Sequence, residues 1–192
     1  VEEVMDLTLY GDTTAGAVVV MNPKTGAINA MYSWPSYDIN LFTRGISSSD
    51  YSALLNNKAK PMINRVTQGL YPPGSTMKAF TAACAIDNEV LDENYAFDES
   101  RIKKDYWTPT EYGQWIWTAI KRTHINYPIS GPLNMRKALI HSDNIYFANA
   151  ALLTGWDRFE EYMAKLGFTE SIPFDINVAR AQLKNEDSEI DA

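Results

Sequence analysis

Ser75 and Lys78 stand three residues apart, and that pair of side chains has an evident chemical use. A serine hydroxyl is a weak nucleophile until a neighbouring base takes its proton, and a lysine serves when burial and the positive end of a helix hold it neutral. Residues three apart share a helix face, so the Lys78 amine comes near the Ser75 hydroxyl if both are helical. The flanking residues, Gly69-Leu70-Tyr71-Pro72-Pro73-Gly74, mark a tight turn, and helix formers run from Met77 to Ile86. A loop driving into a helix is therefore predicted, with Ser75 in the first turn. Its backbone N–H, unpaired there, is free to face a developing oxyanion.

A second polar group, Ser142-Asp143-Asn144, falls where one helical pattern breaks and another begins. Ser142 can relay a proton between a lysine and a leaving group, and Asn144 offers an amide to orient a carbonyl. Capping of the following helix by Ser142 or Asp143 accounts for the same residues. Neither short pattern is informative alone, because 12 serines and 10 lysines in 192 residues make a chance Ser-x-x-Lys unremarkable. One further copy occurs, Ser100-Arg101-Ile102-Lys103, in a charged segment with no apolar run behind it, and it reads as solvated surface.

Other chemistries find less support. Gly69 to Thr76 has phosphate-loop spacing but lacks the lysine, and Pro72 and Pro73 remove two N–H groups that would cradle phosphate. His124 and His141 form no His-Glu-x-x-His, and Asp187-Ser188-Glu189-Ile190-Asp191 lacks the glycine of a calcium loop, so no metal and no cofactor is expected. His141 is too close in sequence to Ser142 to be oriented onto it as the base of a triad. The formal charge of -7 argues against a nucleic-acid partner. The single cysteine, Cys84, cannot form an internal disulfide and reads as a small core residue.

The elements that must position these residues follow in order. Residues 1–15 read as a connector, and residues 16–33 as a β-hairpin buried on at least one face, with Asn22-Pro23-Lys24-Thr25-Gly26 as its turn. Residues 34–74 are loop-rich, and Asn64-Arg65 reads either as a brace of side chain on backbone or as a pair with a direct chemical role. Residues 75–170 read as helical, with Trp107, Trp115 and Trp117 either packing a layer or lining a groove, and residues 171–192 as an exposed tail. Within that helical region one helix is expected to start at Ser130-Gly131-Pro132, with others over 145–153 and 156–166.

Taken together with their settings, these stretches resemble the transpeptidase domain of penicillin-binding proteins, serine acyltransferases that cross-link bacterial peptidoglycan, whose motifs are Ser-x-x-Lys, Ser-x-Asn and a later Lys-Thr/Ser-Gly. The resemblance rests on Gly16 to Met21 with Asn22-Pro23-Lys24-Thr25-Gly26, Pro35-Ser36-Tyr37-Asp38-Ile39-Asn40 and Asn64-Arg65. It continues through Tyr71-Pro72-Pro73-Gly74-Ser75-Thr76-Met77-Lys78 and Ala138-Leu139 before Ser142-Asp143-Asn144, and covers about residues 16 to 170. It implies an α+β fold of the β-lactamase/transpeptidase type. Ser75 would be the acylated nucleophile and Lys78 its base, with Ser142 and Asn144 as the second wall of the cleft. The implied partners are D-alanyl-D-alanine stem peptides and β-lactams, acting outside the cytoplasmic membrane in a membrane-anchored parent.

One departure stands out. Nothing after Asn144 spells Lys-Thr-Gly or Lys-Ser-Gly, and Lys24-Thr25-Gly26 precedes Ser75 as a hairpin turn. The chain is thus expected to stop before the C-terminal strands complete the sheet, as a single partial domain that is inert or weak by itself. A serine β-lactamase would need Glu-x-x-Leu-Asn after the second motif, which is absent. A non-catalytic β-lactam-sensing or peptidoglycan-binding module remains the alternative on this scaffold.

Overall fold

The computed structural model describes residues 15–110, 119–123 and 131–184, and Trp115, Trp117, His124, Ser130 and the Asp187–Asp191 run lie outside them. Two compact units emerge, one of residues 15–71 with Ser171–Ala181, the other containing Pro72–Glu170.

In the first unit, strands β1 (Gly16–Met21) and β2 (Ile28–Trp34) pair antiparallel from Gly16↔Trp34 to Met21↔Ile28, with an irregularity after Val20. The turn is held locally: Asn22 Oδ1 accepts from the Lys24 N–H at 2.9 Å, and Gly26 takes φ 74°, where glycine is favoured. One hairpin face is half-buried, through Val18, Ile28, Ala30, Tyr32 and Trp34, with the Arg65–Gln68 helix packed against both strands. Val19, Val20 and Met21 stay more open, at 49%, 41% and 53% exposed. Helices α1 (Ser48–Asn56) and α2 (Arg65–Gln68) begin on capping side chains, Ser47 and Asn64. Arg65 braces its loop, its guanidinium donating to the carbonyls of Ala59 and Lys60. Ser33 Oγ ties β2 to this segment, donating to the Ile63 carbonyl and accepting from the Arg65 N–H at 3.0 Å. The Ala179 N–H donates to the Thr67 carbonyl, so the C-terminal stretch is pinned here.

The second unit is helix-rich. Helix α3 (Met77–Asp87) packs against α5 (Asn144–Thr154) and α6 (Trp156–Lys165), and α4 (Met135–Ile140) precedes α5. The α5 sequence, NIYFANAALLT, is apolar nearly all round, as a central helix must be, and Ile145, Tyr146, Asn149 and Ala150 are wholly buried. Two short ribbons flank the helices: β3 (Ala96–Phe97) with β6 (Leu133–Asn134), and β4 (Tyr106–Trp107) with β5 (Ile120–Lys121). The helix expected from Ser130 therefore starts later, at Met135. Leu133 goes to the ladder opposite Phe97, and Asn134 caps α4 by accepting from the Lys137 N–H.

Trp107 packs edge-on to Phe97 at 5.2 Å, with the Arg101 guanidinium about 5 Å from both rings. Tyr146 donates its hydroxyl to the Tyr95 carbonyl at 3.2 Å, and burial pushes that phenol up to about 12. Cys84 is fully buried, which raises its thiol above the ordinary value, in keeping with an inert core role.

Candidate active site

Ser75 sits in a 3-10 turn, Gly74–Thr76, immediately before α3, rather than in the helix's own first turn. Gly74 has φ 59°, a left-handed conformation that suits glycine, and the Thr76 hydroxyl closes back onto the Pro73 carbonyl at 2.6 Å. Ser75 is exposed, and neither its hydroxyl nor its backbone N–H makes a hydrogen bond among the described residues.

One turn further on, Lys78 is half-buried and reaches across to the Ser142-Asp143-Asn144 junction. Its Nζ donates to the Ser142 carbonyl, to Ser142 Oγ at 2.9 Å and to Asn144 Oδ1 at 2.6 Å. Contact with both serines is predicted from sequence, and only the one to Ser142 forms. An ammonium has three donors, and this turn takes all three. Burial lowers the Lys78 pKa, while the Asp143 charge pulls it back up.

The junction is built by the end of α4. The Ser142 N–H bonds to the Leu139 carbonyl at 3.1 Å and the Asp143 N–H to the Ala138 carbonyl at 2.8 Å, the paired bonds of a Schellman cap. In that cap Ser142 occupies the left-handed position, φ 51°, where glycine is usual and a serine is strained by roughly 1 kcal/mol or more. Asp143 then turns inward, fully buried, and caps α5 by accepting from the Tyr146 N–H at 2.8 Å. Capping and presentation are thus divided within three residues: the middle one starts the helix and the outer two meet Lys78.

Sequence reasoning overlooked two residues here. Arg122 binds Glu99 at 2.8 Å and Asp143 at 3.4 Å, so the buried carboxylate has a cation as well as its backbone donor. Thr123 Oγ1 donates to the Ser142 carbonyl at 2.8 Å and accepts from the Asn144 N–H at 3.2 Å. Their contacts span about twenty positions, and no local pattern marks them. The other motifs stay apart. Ser100 and Lys103 are exposed on the surface, and the hydrogen bonds recorded for the Lys24-Thr25-Gly26 turn run within residues 22–27. Among the described residues no group of His, Cys, Asp and Glu could hold a metal ion.

The chain is similar to known proteins in sequence and in fold. The family model for the penicillin-binding protein transpeptidase domain matches residues 16–192. The peptidoglycan D,D-transpeptidase MrdA of Escherichia coli K12 is 38% identical over 165 residues, 86% of this chain and 24% of that protein. Among solved structures, Pseudomonas aeruginosa PBP2 in complex with WCK 5153 matches at TM-score 0.71 and 31% identity, over 88% of this chain and 37% of that one. Penicillin-binding protein A of M. tuberculosis, as its penicillin G acyl-enzyme complex, matches at TM-score 0.74 and 26% identity, over 96% of this chain and 42% of that one. The chain spans about a quarter of the length of the curated relatives it matches.

Proposed function

Since the chain belongs to the penicillin-binding protein transpeptidase family, we propose that it carries the nucleophile and the second cleft wall of a serine D,D-transpeptidase acting on peptidoglycan. The observation that carries this reading is the Lys78 amine held between the Ser75 helix and the Ser142–Asn144 turn.

In the proposed reaction the Ser75 hydroxyl attacks the carbonyl of the terminal D-alanyl-D-alanine peptide bond and gives its proton to Lys78. Lys78 accepts it only in the neutral form, which partial burial favours. The unpaired Ser75 N–H supplies one donor to the oxyanion, and Asn144 orients the substrate amide. Ser142 passes the proton from Lys78 to the departing D-alanine amine. The ester on Ser75 is then attacked by an amine of a neighbouring stem peptide, which forms the cross-link and restores the hydroxyl. β-Lactams would acylate the same oxygen, a reading supported by the penicillin G acyl-enzyme complex of the mycobacterial relative.

These 192 residues hold no Lys-Thr/Ser-Gly after Asn144, so the cationic wall and second oxyanion donor of the family are not among them. Loss of one oxyanion donor costs about 3–4 kcal/mol of transition-state stabilisation, and the chain alone is expected to acylate slowly or not at all. No helix among the described residues is long and apolar enough to cross a membrane. The proposed reaction calls for a parent protein at the extracytoplasmic face, where a cell-wall substrate lies.

Intact-mass spectrometry after incubation with benzylpenicillin tests the reading, on this chain, on Ser75→Ala and on a chain extended through the next Lys-Thr/Ser-Gly. An adduct on the extended chain that Ser75→Ala removes supports it. Absence of an adduct from the extended chain favours a non-catalytic module, and a short-lived adduct favours a β-lactamase.

A further inference from the structure

Ser142 is held in a conformation that its own backbone disfavours, and a single hydroxyl spans the turn that contains it. Thr123 Oγ1 donates to the Ser142 carbonyl and accepts from the Asn144 N–H, closing a ring over both outer residues of the tripeptide. The Ser142 carbonyl is also an acceptor of Lys78 Nζ, so Thr123 and Lys78 grip one oxygen. Thr123 itself stands on fixed backbone. Its neighbour Lys121 is paired with Tyr106, and the Arg122 N–H donates to the Asp105 carbonyl at 2.8 Å. The Arg122 guanidinium bridges Glu99 and Asp143, tying the same segment to the buried middle residue of the turn.

We infer that Thr123 is a positioning residue for the acyl-transfer site, holding Ser142 in its left-handed conformation and Asn144 in register so that both face Lys78. It touches neither Ser75 nor the reacting atoms and acts through the tripeptide. The inference rests on the transpeptidase reading for its effect on acylation, though the geometric part stands without it. A hydroxyl that both donates and accepts is required. Serine satisfies this, whereas valine, of the same shape, satisfies neither.

The test compares the extended chain with its Thr123→Val and Thr123→Ser variants. Acylation by a fluorescent penicillin is read as a second-order rate. Separately, reductive methylation of Lys78 is followed by peptide mass spectrometry, with Lys103 and Lys121 as internal references. Thr123→Val is expected to slow acylation roughly ten- to hundredfold, the usual penalty of a misplaced catalytic group. It should also raise methylation of Lys78 several-fold over the two reference lysines, while Thr123→Ser stays within about threefold of the unaltered chain in both. Equal behaviour of all three chains overturns the inference, as does equal impairment of the valine and serine variants. If no chain is acylated, the transpeptidase reading fails, and the Lys78 methylation ratio alone decides the role of Thr123.

Discussion

The second unit contains two Ser-x-x-Lys segments in nearly the same local setting. Ser75 and Ser100 each lie in a 3-10 turn, Gly74–Thr76 and Glu99–Arg101, and each lysine follows one turn later. They diverge in what comes next. After Ser75 the chain continues into an eleven-residue helix, so Lys78 is carried on a rigid element against α5. After Ser100 it reverses: the Lys103 N–H bonds to the Tyr106 carbonyl at 2.8 Å, with Lys104 and Asp105 both left-handed between them. Lys78 is half-buried and shares its three donors with residues sixty-odd positions away, whereas Lys103 is exposed. The motif therefore acquires chemistry from what crosses over to meet it, and its spacing contributes little alone.

Exchange of the two lysines should separate the segments most widely. Lys78→Met in the extended chain is expected to slow benzylpenicillin acylation by about a hundredfold or more, the usual contribution of a general base, and Lys103→Met to leave the rate unchanged. Equal rates for the two would erase the distinction. Next come the carboxylates that start each segment's neighbouring element. Asp143 is buried against Arg122 and caps α5, so Asp143→Ala should destabilise the fold by about 2–4 kcal/mol in urea unfolding. Asp98 caps the Ser100 turn in solvent, its carboxyl held below the usual range by bonds from Ser100, and Asp98→Ala should shift the unfolding midpoint far less.

A smaller effect has the opposite sign. Ser142→Gly relieves the left-handed strain and should stabilise the chain by up to about 1 kcal/mol while slowing acylation, which would mark the serine as kept for function at the expense of the cap. Loss of both stability and rate would instead mean that its hydroxyl bond to Lys78 outweighs the strain. The smallest effect is on pH. Because burial lowers the Lys78 pKa, the folded chain releases this proton before the unfolded chain does. Between that lowered value and 10.5 the unfolded state binds more protons, so the contribution of Lys78 to stability rises with pH across the window. Unfolding midpoints measured across alkaline pH should lose this slope in Lys78→Met and keep it in Lys103→Met.

Much of the site was legible because it is local. Pro72, Pro73 and Gly74 announce the turn, the run from Met77 announces the helix, and the break at His141 to Asn144 announces the junction. What escaped depends on partners distant in the chain. Leu133 reads as helical by spacing but joins β3 because Phe97, thirty-six positions earlier, offers a ladder. Thr123 has no signature in its own neighbourhood. The three acceptors that satisfy Lys78, and so leave Ser75 without it, emerge only when α3 and the Ser142 turn are brought together. The apolar runs of the hairpin predicted a buried face, and one face is covered only halfway, since such a run reports which side chains can be buried and nothing about how closely they are covered.

That hairpin has a bearing on the behaviour of concentrated samples. Among the described residues β1 pairs only with β2, leaving a bare ladder edge beside the exposed Val19, Val20 and Met21. Such an edge is a template for intermolecular β-pairing, opposed here by mutual repulsion between chains of charge -7. Added salt screens that repulsion, so light scattering should report association that grows with ionic strength. A lysine in place of Val19 should suppress it and leave colloidal behaviour governed by charge alone.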